Sequence, residues 1–341
     1  MIPFFVPDLH DNHPNLHEAA RSYSVGPGKY SEMLRPIIRQ ASGGLHPVLT
    51  VSGTVALELC LRALGLEGKR VMLPAYGVVA TMNAVANVGV PIFVDIDAAS
   101  GLLTHHELER AWKAEGCKAD AVVWVHQGGR QGGLEHWRNE CLAWARERGL
   151  LFIDDAACAY GVKLADTDAA IYSFSAPKIL SCGQGGVALF REQRHANIAA
   201  ALVDHGAFWR TTGMSHGPGS NLRLSDLQAA FLLDELPRLI HRQKWQSECV
   251  KVFLDGRRGV MPAFHNVFMA EHPSHRAHVI ANLSSNIVAR VQYAPFWAHP
   301  KWLAILNRRY DGAKAWHDRA LHLPFGAGMT PETAKEIVAA L

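Results

Sequence analysis

Between residues 47 and 190, short and nearly continuous apolar runs alternate with helix-patterned segments, and that alternation leaves the chain few folds to choose from. Val48-Leu49-Thr50-Val51, Arg70-Val71-Met72-Leu73, Pro91-Ile92-Phe93-Val94, Ala121-Val122-Val123-Trp124-Val125 and Leu150-Leu151-Phe152-Ile153 read as strands. Their apolar residues do not alternate with polar ones. Strands of this kind are buried on both faces, as in a mainly parallel sheet with helices on each side. Helices are predicted over 54–64, over 78–87 with Gly89 as the stop, after the Thr104/Glu107 capping box, and over 134–148 before Gly149. Two shorter strands follow at Ala169–Phe174 and Gly186–Phe190, then helices over 193–203 and 225–243. The pattern predicts an α/β fold built on a large, doubly wound, mainly parallel sheet.

The pattern changes near residue 246. Strand candidates sit at Ala277–Leu283 and Ile287–Tyr293, a helix around Trp302, and a last helix that Thr330 caps with Pro331 at its first position. This predicts a smaller C-terminal α+β domain over 246–341, following an N-terminal arm and large domain over 1–245. The 341 residues, 49% hydrophobic and 19% charged, suffice for such cores. A net charge of +3 without a basic run gives no reason to expect nucleic acid or a membrane surface as partner. The six cysteines are scattered and form no Cys-x-x-Cys, which fits reduced thiols in a cytoplasmic protein. The start, Met1-Ile2-Pro3-Phe4-Phe5-Val6-Pro7-Asp8, lacks the charged and apolar regions of a signal peptide. No uncharged run is long enough to span a bilayer. No metal is expected at His10, His13 and His17, which read as solvated positions around Pro14. None is expected at His272, His275 and His278, which head into a predicted strand where a spacing of three does not share one face.

Sheets of this class bind ligands at the carboxyl ends of their strands. The predicted ends deliver Gly53-Thr54, Pro74 to Gly77, His126, Asp155 and Ser173. Lys178 lies in the loop after Ser173. An acid can keep a pyridine nitrogen protonated, and a lysine amine can form a Schiff base. Gly53-Thr54 at a helix start suits an anion. His126 reads equally well as a site-lining residue and as a core-edge one. Gly183-Gln184-Gly185-Gly186 has no following Lys-Ser/Thr pair, so it reads as a tight turn rather than a nucleotide loop.

Six blocks in order then carry a resemblance. They are Ser52 to Leu57, Pro74 to Asn83, Phe93 to Asp97, Ile153 to Gly161, Ser173 to Gly186 and Asn221 to Ala230. Together they resemble the DegT-type aminotransferases, fold type I enzymes that use pyridoxal phosphate and mostly aminate nucleotide-linked keto-sugars. The resemblance implies that Lys178 holds the cofactor covalently and that Asp155 contacts its pyridine nitrogen. It implies that Gly53, Thr54 and Ser173 bind the phosphate. It also implies a homodimer with shared active sites, in which Asn221 reaches the neighbouring subunit's phosphate. Val78 and Cys158 fall at cofactor-ring positions where the family usually has an aromatic residue and a glutamine. Gln184 stands where glutamate is common. The implied reaction moves an amino group from an amino acid, with glutamate as the expected donor, to a nucleotide-linked keto-sugar. Another keto substrate, such as an aminocyclitol precursor, is an alternative. So is a catalytically weak cofactor-binding regulator, which Cys158 and Val78 motivate. A related dehydratase branch carries histidine in place of the lysine, so Lys178 argues against it.

Overall fold

The structure, a computed structural model, describes all residues except 9–10, 23–25, 130–134, 207–217, 257–259, 262–265, 284–285 and 294–309. After the helices α1 (Pro14–Arg21) and α2 (Lys29–Ala41), strand and helix alternate: β1 (His46–Thr50), α3 (Gly53–Ala63), β2 (Arg70–Pro74), α4 (Val79–Val88), β3 (Val90–Val94), α5 (His105–Ala114), β4 (Ala121–Val125), α6 (Glu135–Glu147) and β5 (Leu151–Asp155). Then come β6 (Ala169–Ser173), β7 (Gly186–Phe190), α7 (Gln193–Val203) and α8 (Asp226–Gly256). The strands form one seven-stranded sheet in the order β1-β7-β6-β5-β4-β2-β3. The run from β6 to β3 is parallel, and β7 is antiparallel to both β1 and β6.

Both faces are apolar for the reason the sequence suggests. In β5, Phe152 joins the core with Leu108 of α5 and Leu142 of α6, whereas Ile153 joins the core with Leu57 of α3 and Met82 of α4. In β6, Ile171 faces α3 while Tyr172 faces the side of Leu34 in α2 and Leu232 in α8. Period-two alternation with apolar residues on both sides makes the strand a double-sided core element. Thr104 caps α5 as expected, its hydroxyl accepting from the Glu107 N–H at 3.3 Å.

A three-stranded antiparallel sheet joins β8 (Val260–Met261), β9 (Val267–Met269) and β10 (Ala320–His322), and a separate core holds Phe253 of α8 with Phe268 of β9 and Leu321 of β10. Helix α8 runs through residues 245 and 246 and continues to Gly256. Two expectations for the tail are corrected. Residues 277–283 are not a strand. Residues 277–282 belong to the helix α9 (Pro273–Asn282), with Leu283 as its C-cap; the helix is started by Pro273 and by the His272 ring, whose Nδ1 accepts from the His275 N–H at 3.0 Å. Residues 287–293 form no ladder either. Ile287 bridges Ile2 and Arg290 bridges His322, so the segment meets a different partner at each end. The predicted helix around Trp302 lies outside the described residues. Helix Pro331–Ala340 begins as predicted, with Thr330 accepting from the Thr333 N–H.

Because 273–282 is helical, the strand argument about these histidines does not apply. His272 is committed to the cap, and His278 contacts Asn282 at 2.7 Å. Of the other histidine group, His13 stacks on Phe231 at 4.4 Å rather than standing in solvent, and His10 lies outside the described residues. Among the described residues, no three His, Cys, Asp or Glu side chains cluster to hold a metal ion, and no helix is long and apolar enough to cross a membrane.

Candidate active site

The carboxyl ends of the parallel strands open into a cavity of about 180 Å³. It is lined by Gly53, Thr54, Val78, Asp155, Cys158, Ser173 and Lys178, and also by Thr81, His126, Gln184 and Tyr293. A larger, more open cleft of about 650 Å³ between α2, β1 and α7 carries arginines but neither the lysine nor the acid. The predicted lysine and acid therefore meet in the smaller cavity, whose walls include Leu57, Val125 and Ile171.

Strand geometry separates the two adjacent acids. Successive side chains of β5 point to opposite faces, so Asp155 lines the cavity while Asp154 is fully buried behind it. Asp155 accepts from the Thr81 hydroxyl at 2.6 Å and from the Ala157 N–H at 3.2 Å, so each oxygen has one fixed donor. Asp154 accepts from His126 at 2.9 Å and, in bidentate fashion, from Arg138 at 2.9 and 2.7 Å. Burial alone would push the Asp154 carboxyl up, but the hydrogen bonds and charges of His126 and Arg138 outweigh it and hold the group below 3.8. A carboxyl with a depressed folded value stabilises the fold above its unfolded pKa and loses that contribution as pH falls through the folded one. The Asp154 contribution is thus complete near neutrality and disappears in acid below pH 3.8. Arg138→Ala leaves this buried carboxylate with His126 as its remaining partner and is expected to lower the unfolding free energy at pH 7 by about 3 kcal/mol, read from urea titration.

The start of α3 forms the other wall. Ser52 caps the helix, its hydroxyl accepting from the Val55 N–H at 3.2 Å, which leaves the N–H groups of the first turn at the cavity. A Cβ on Gly53 would lie 2.9 Å from the Ser173 Cβ, so glycine is what lets helix start and strand end meet. Likewise a Cβ on Gly186 would lie 2.4 Å from the Ser52 carbonyl carbon. Lys178 is half-buried, and its Nζ lies 2.9 Å from Cys158 Sγ.

Two of the lining residues escaped the sequence reading. Thr81 stands one turn into α4 and gave no signal beyond its hydroxyl. Tyr293 arrives from the segment between α9 and β10, and burial, then the neighbouring Cys158, Tyr76 and Asp155, push its hydroxyl well above its ordinary value. Tyr76 does not line the cavity. It is buried, donating to the Gln292 carbonyl at 2.5 Å and accepting from the Tyr293 N–H at 3.1 Å. It thus fixes the aromatic ring that does. His126 lines the cavity and is also buried, so both readings of it apply. Asn221 stands apart from these residues, its side-chain oxygen accepting from Arg223 at 3.2 and 3.1 Å.

The donor set fits a phosphorylated pyridine aldehyde. Helix N–H groups and the Ser173 hydroxyl suit a phosphate, a carboxylate with two fixed donors suits a ring nitrogen, and a primary amine suits the aldehyde. Comparison with known proteins agrees. The model of the DegT/DnrJ/EryC1/StrS aminotransferase family matches residues 9–341. The chain is 27% identical to the spore coat polysaccharide biosynthesis protein SpsC of Bacillus subtilis, over 88% of this chain and 85% of that one. It is 24% identical to the GDP-perosamine synthase of Vibrio cholerae, over 99% and 97%. Its fold matches the sugar aminotransferase Spr1654 of Streptococcus pneumoniae in its PLP form, described as putative, with a TM-score of 0.87 at 20% identity over 99% and 97% of the two chains.

Proposed function

The chain belongs to the DegT/DnrJ/EryC1/StrS aminotransferase family, and on that premise we propose that it is a pyridoxal-phosphate-dependent aminotransferase acting on a nucleotide-linked keto-sugar, with glutamate as amino donor. The observation that carries the reading is the meeting of Lys178, Asp155 and the start of α3 in one cavity. A GDP-perosamine synthase and a polysaccharide biosynthesis protein among the relatives favour a sugar substrate.

When bound, pyridoxal phosphate supplies an electron sink for the carbanion formed at the donor α-carbon. The chain's residues do the rest. The N–H groups of Gly53 and Thr54 and the Ser173 hydroxyl hold the phosphate at the positive end of α3. Asp155, oriented by Thr81 and Ala157, keeps the proton on the ring nitrogen. Val78, Cys158 and Tyr293 border the ring position, and apolar Leu57, Val125 and Ile171 limit water. At rest Lys178 anchors the cofactor through its ε-amine. Freed from that bond, the amine would take the proton from the donor α-carbon and deliver it to the former aldehyde carbon of the cofactor in the same half-reaction, and would run the transfer in reverse on the ketone. The same reading makes the protein a cytoplasmic homodimer in which Asn221 serves the partner's phosphate.

Adding glutamate to the purified holoprotein should bleach the visible band of the bound cofactor, and a keto-sugar nucleotide should restore it. A band unchanged by any of several amino donors would sink the aminotransferase reading and leave a cofactor-binding protein without turnover.

A further inference from the structure

Lys178 Nζ and Cys158 Sγ are 2.9 Å apart inside the cavity that holds Asp155. We propose that Cys158 is a positioning residue for Lys178, its thiol holding the ε-amine whenever that amine is not bonded to the cofactor. The inference rests on the aminotransferase reading, because that reaction requires the amine to leave its carbonyl partner and act on a proton without leaving the cavity.

Both ends of the contact are anchored. Cys158 lies on the turn after β5, which is tied by the Ala157 N–H to Asp155 and by the Ala159 N–H to the Ala156 carbonyl at 2.9 Å. The acid that serves the ring nitrogen therefore also sets where the thiol stands. Lys178 lies on a loop tied by its own N–H to the Ser175 carbonyl at 3.0 Å and by the Ala176 N–H to the Gly183 carbonyl at 2.9 Å. Ile179 and Leu180, next in sequence, are buried. With its backbone fixed, only the four-carbon stem of Lys178 can swing. Such a stem has many rotamers, and a partner at one end of the swing narrows them toward the productive position. A thiol is a weak donor and acceptor. It can hold an amine without the strong grip of a carboxylate, which suits a group that must rejoin the cofactor each cycle.

The contact can be read without turnover. o-Phthalaldehyde joins a thiol and a primary amine that stand side by side into a fluorescent isoindole, with loss of two waters. The reagent is added to cofactor-free full-length protein carrying Cys117→Ser, since Cys117 is exposed next to Lys118. The fluorescence should appear in that background, vanish in Cys158→Ala and separately in Lys178→Ala, and be suppressed when pyridoxal phosphate is added first. Fluorescence that survives Cys158→Ala, or none in the background protein, overturns the contact. In the holoenzyme, Cys158→Ala should lower kcat about 10-fold with the donor KM unchanged, and Cys158→Ser should recover most of it. An unchanged kcat in Cys158→Ala overturns the positioning role. Failure of glutamate to bleach the visible band would instead remove the aminotransferase premise, while the isoindole signal would stand.

Discussion

Lys178→Ala is expected to fold normally, to bind pyridoxal phosphate without covalent attachment, and to lose at least about 10⁴-fold in kcat. The lysine side chain is half-buried, and the hydrogen bonds that shape its loop come from backbone groups that alanine keeps. The start of α3 and Ser173 are untouched, so phosphate binding should persist. Two functions go together. The resting anchor is lost, and so is the amine that moves the α-proton, for which no other cavity-lining group among the described residues is a primary amine. Borohydride reduction of the wild type should mark Lys178, and the variant should take no label. A small added amine should restore part of the turnover, because the cavity left by the side chain can admit it. A label on a different lysine, or retained activity within tenfold of wild type, would overturn the assignment.

Much of this site was legible because it depends on where strands end. Continuous apolar runs locate β2, β4 and β5, and in a parallel sheet their carboxyl ends must converge. That reasoning finds Gly53, Asp155 and Ser173 one at a time. The choice of Asp155 over Asp154 comes instead from the resemblance, and the structure separates the two because neighbours on β5 face opposite ways. Strand ends do not reveal Thr81, whose bond to Asp155 joins residues far apart in the chain, or Tyr293, which arrives from the smaller sheet's side. Such contacts exist only once the chain has folded. The misread segment at 277–283 fails for a local reason. Val279 and Ile280 are β-branched neighbours and suggest a strand, but the cap at His272 and the proline after it start a helix upstream, and one buried residue, Val279, anchors it to the small core. A helix of ten residues is marginal on its own, so the packing of Val279 and of Leu283 at its end against the small core matters. The tail's irregular run at 287–293 could not be read because its partners, Ile2 and His322, come from opposite ends of the chain.

Asp155→Asn should lower kcat by about 10²–10³-fold while leaving the fold and most cofactor affinity in place. The substitution is close to isosteric. The asparagine oxygen can still accept from the Ala157 N–H, and the Thr81 hydroxyl can turn to accept from the new amide N–H. What disappears is the negative charge beside the ring nitrogen. Without it the proton there is no longer held, and the charge that develops when the α-proton leaves has less stabilisation. In a water-poor cavity that difference is larger than it would be in solution. The loss belongs in kcat rather than in KM, because the charge matters most as the α-proton leaves. Asp154→Asn provides the contrast, one residue away on the same strand. It touches Arg138 and His126 rather than the cavity, so it should weaken the fold and change kcat of the folded fraction little. If the two variants behaved alike, with equal losses of stability and equal kcat, the division of labour between the paired acids would be wrong. If Asp155→Asn kept kcat within threefold of wild type, Asp155 would not be the group that holds the ring proton.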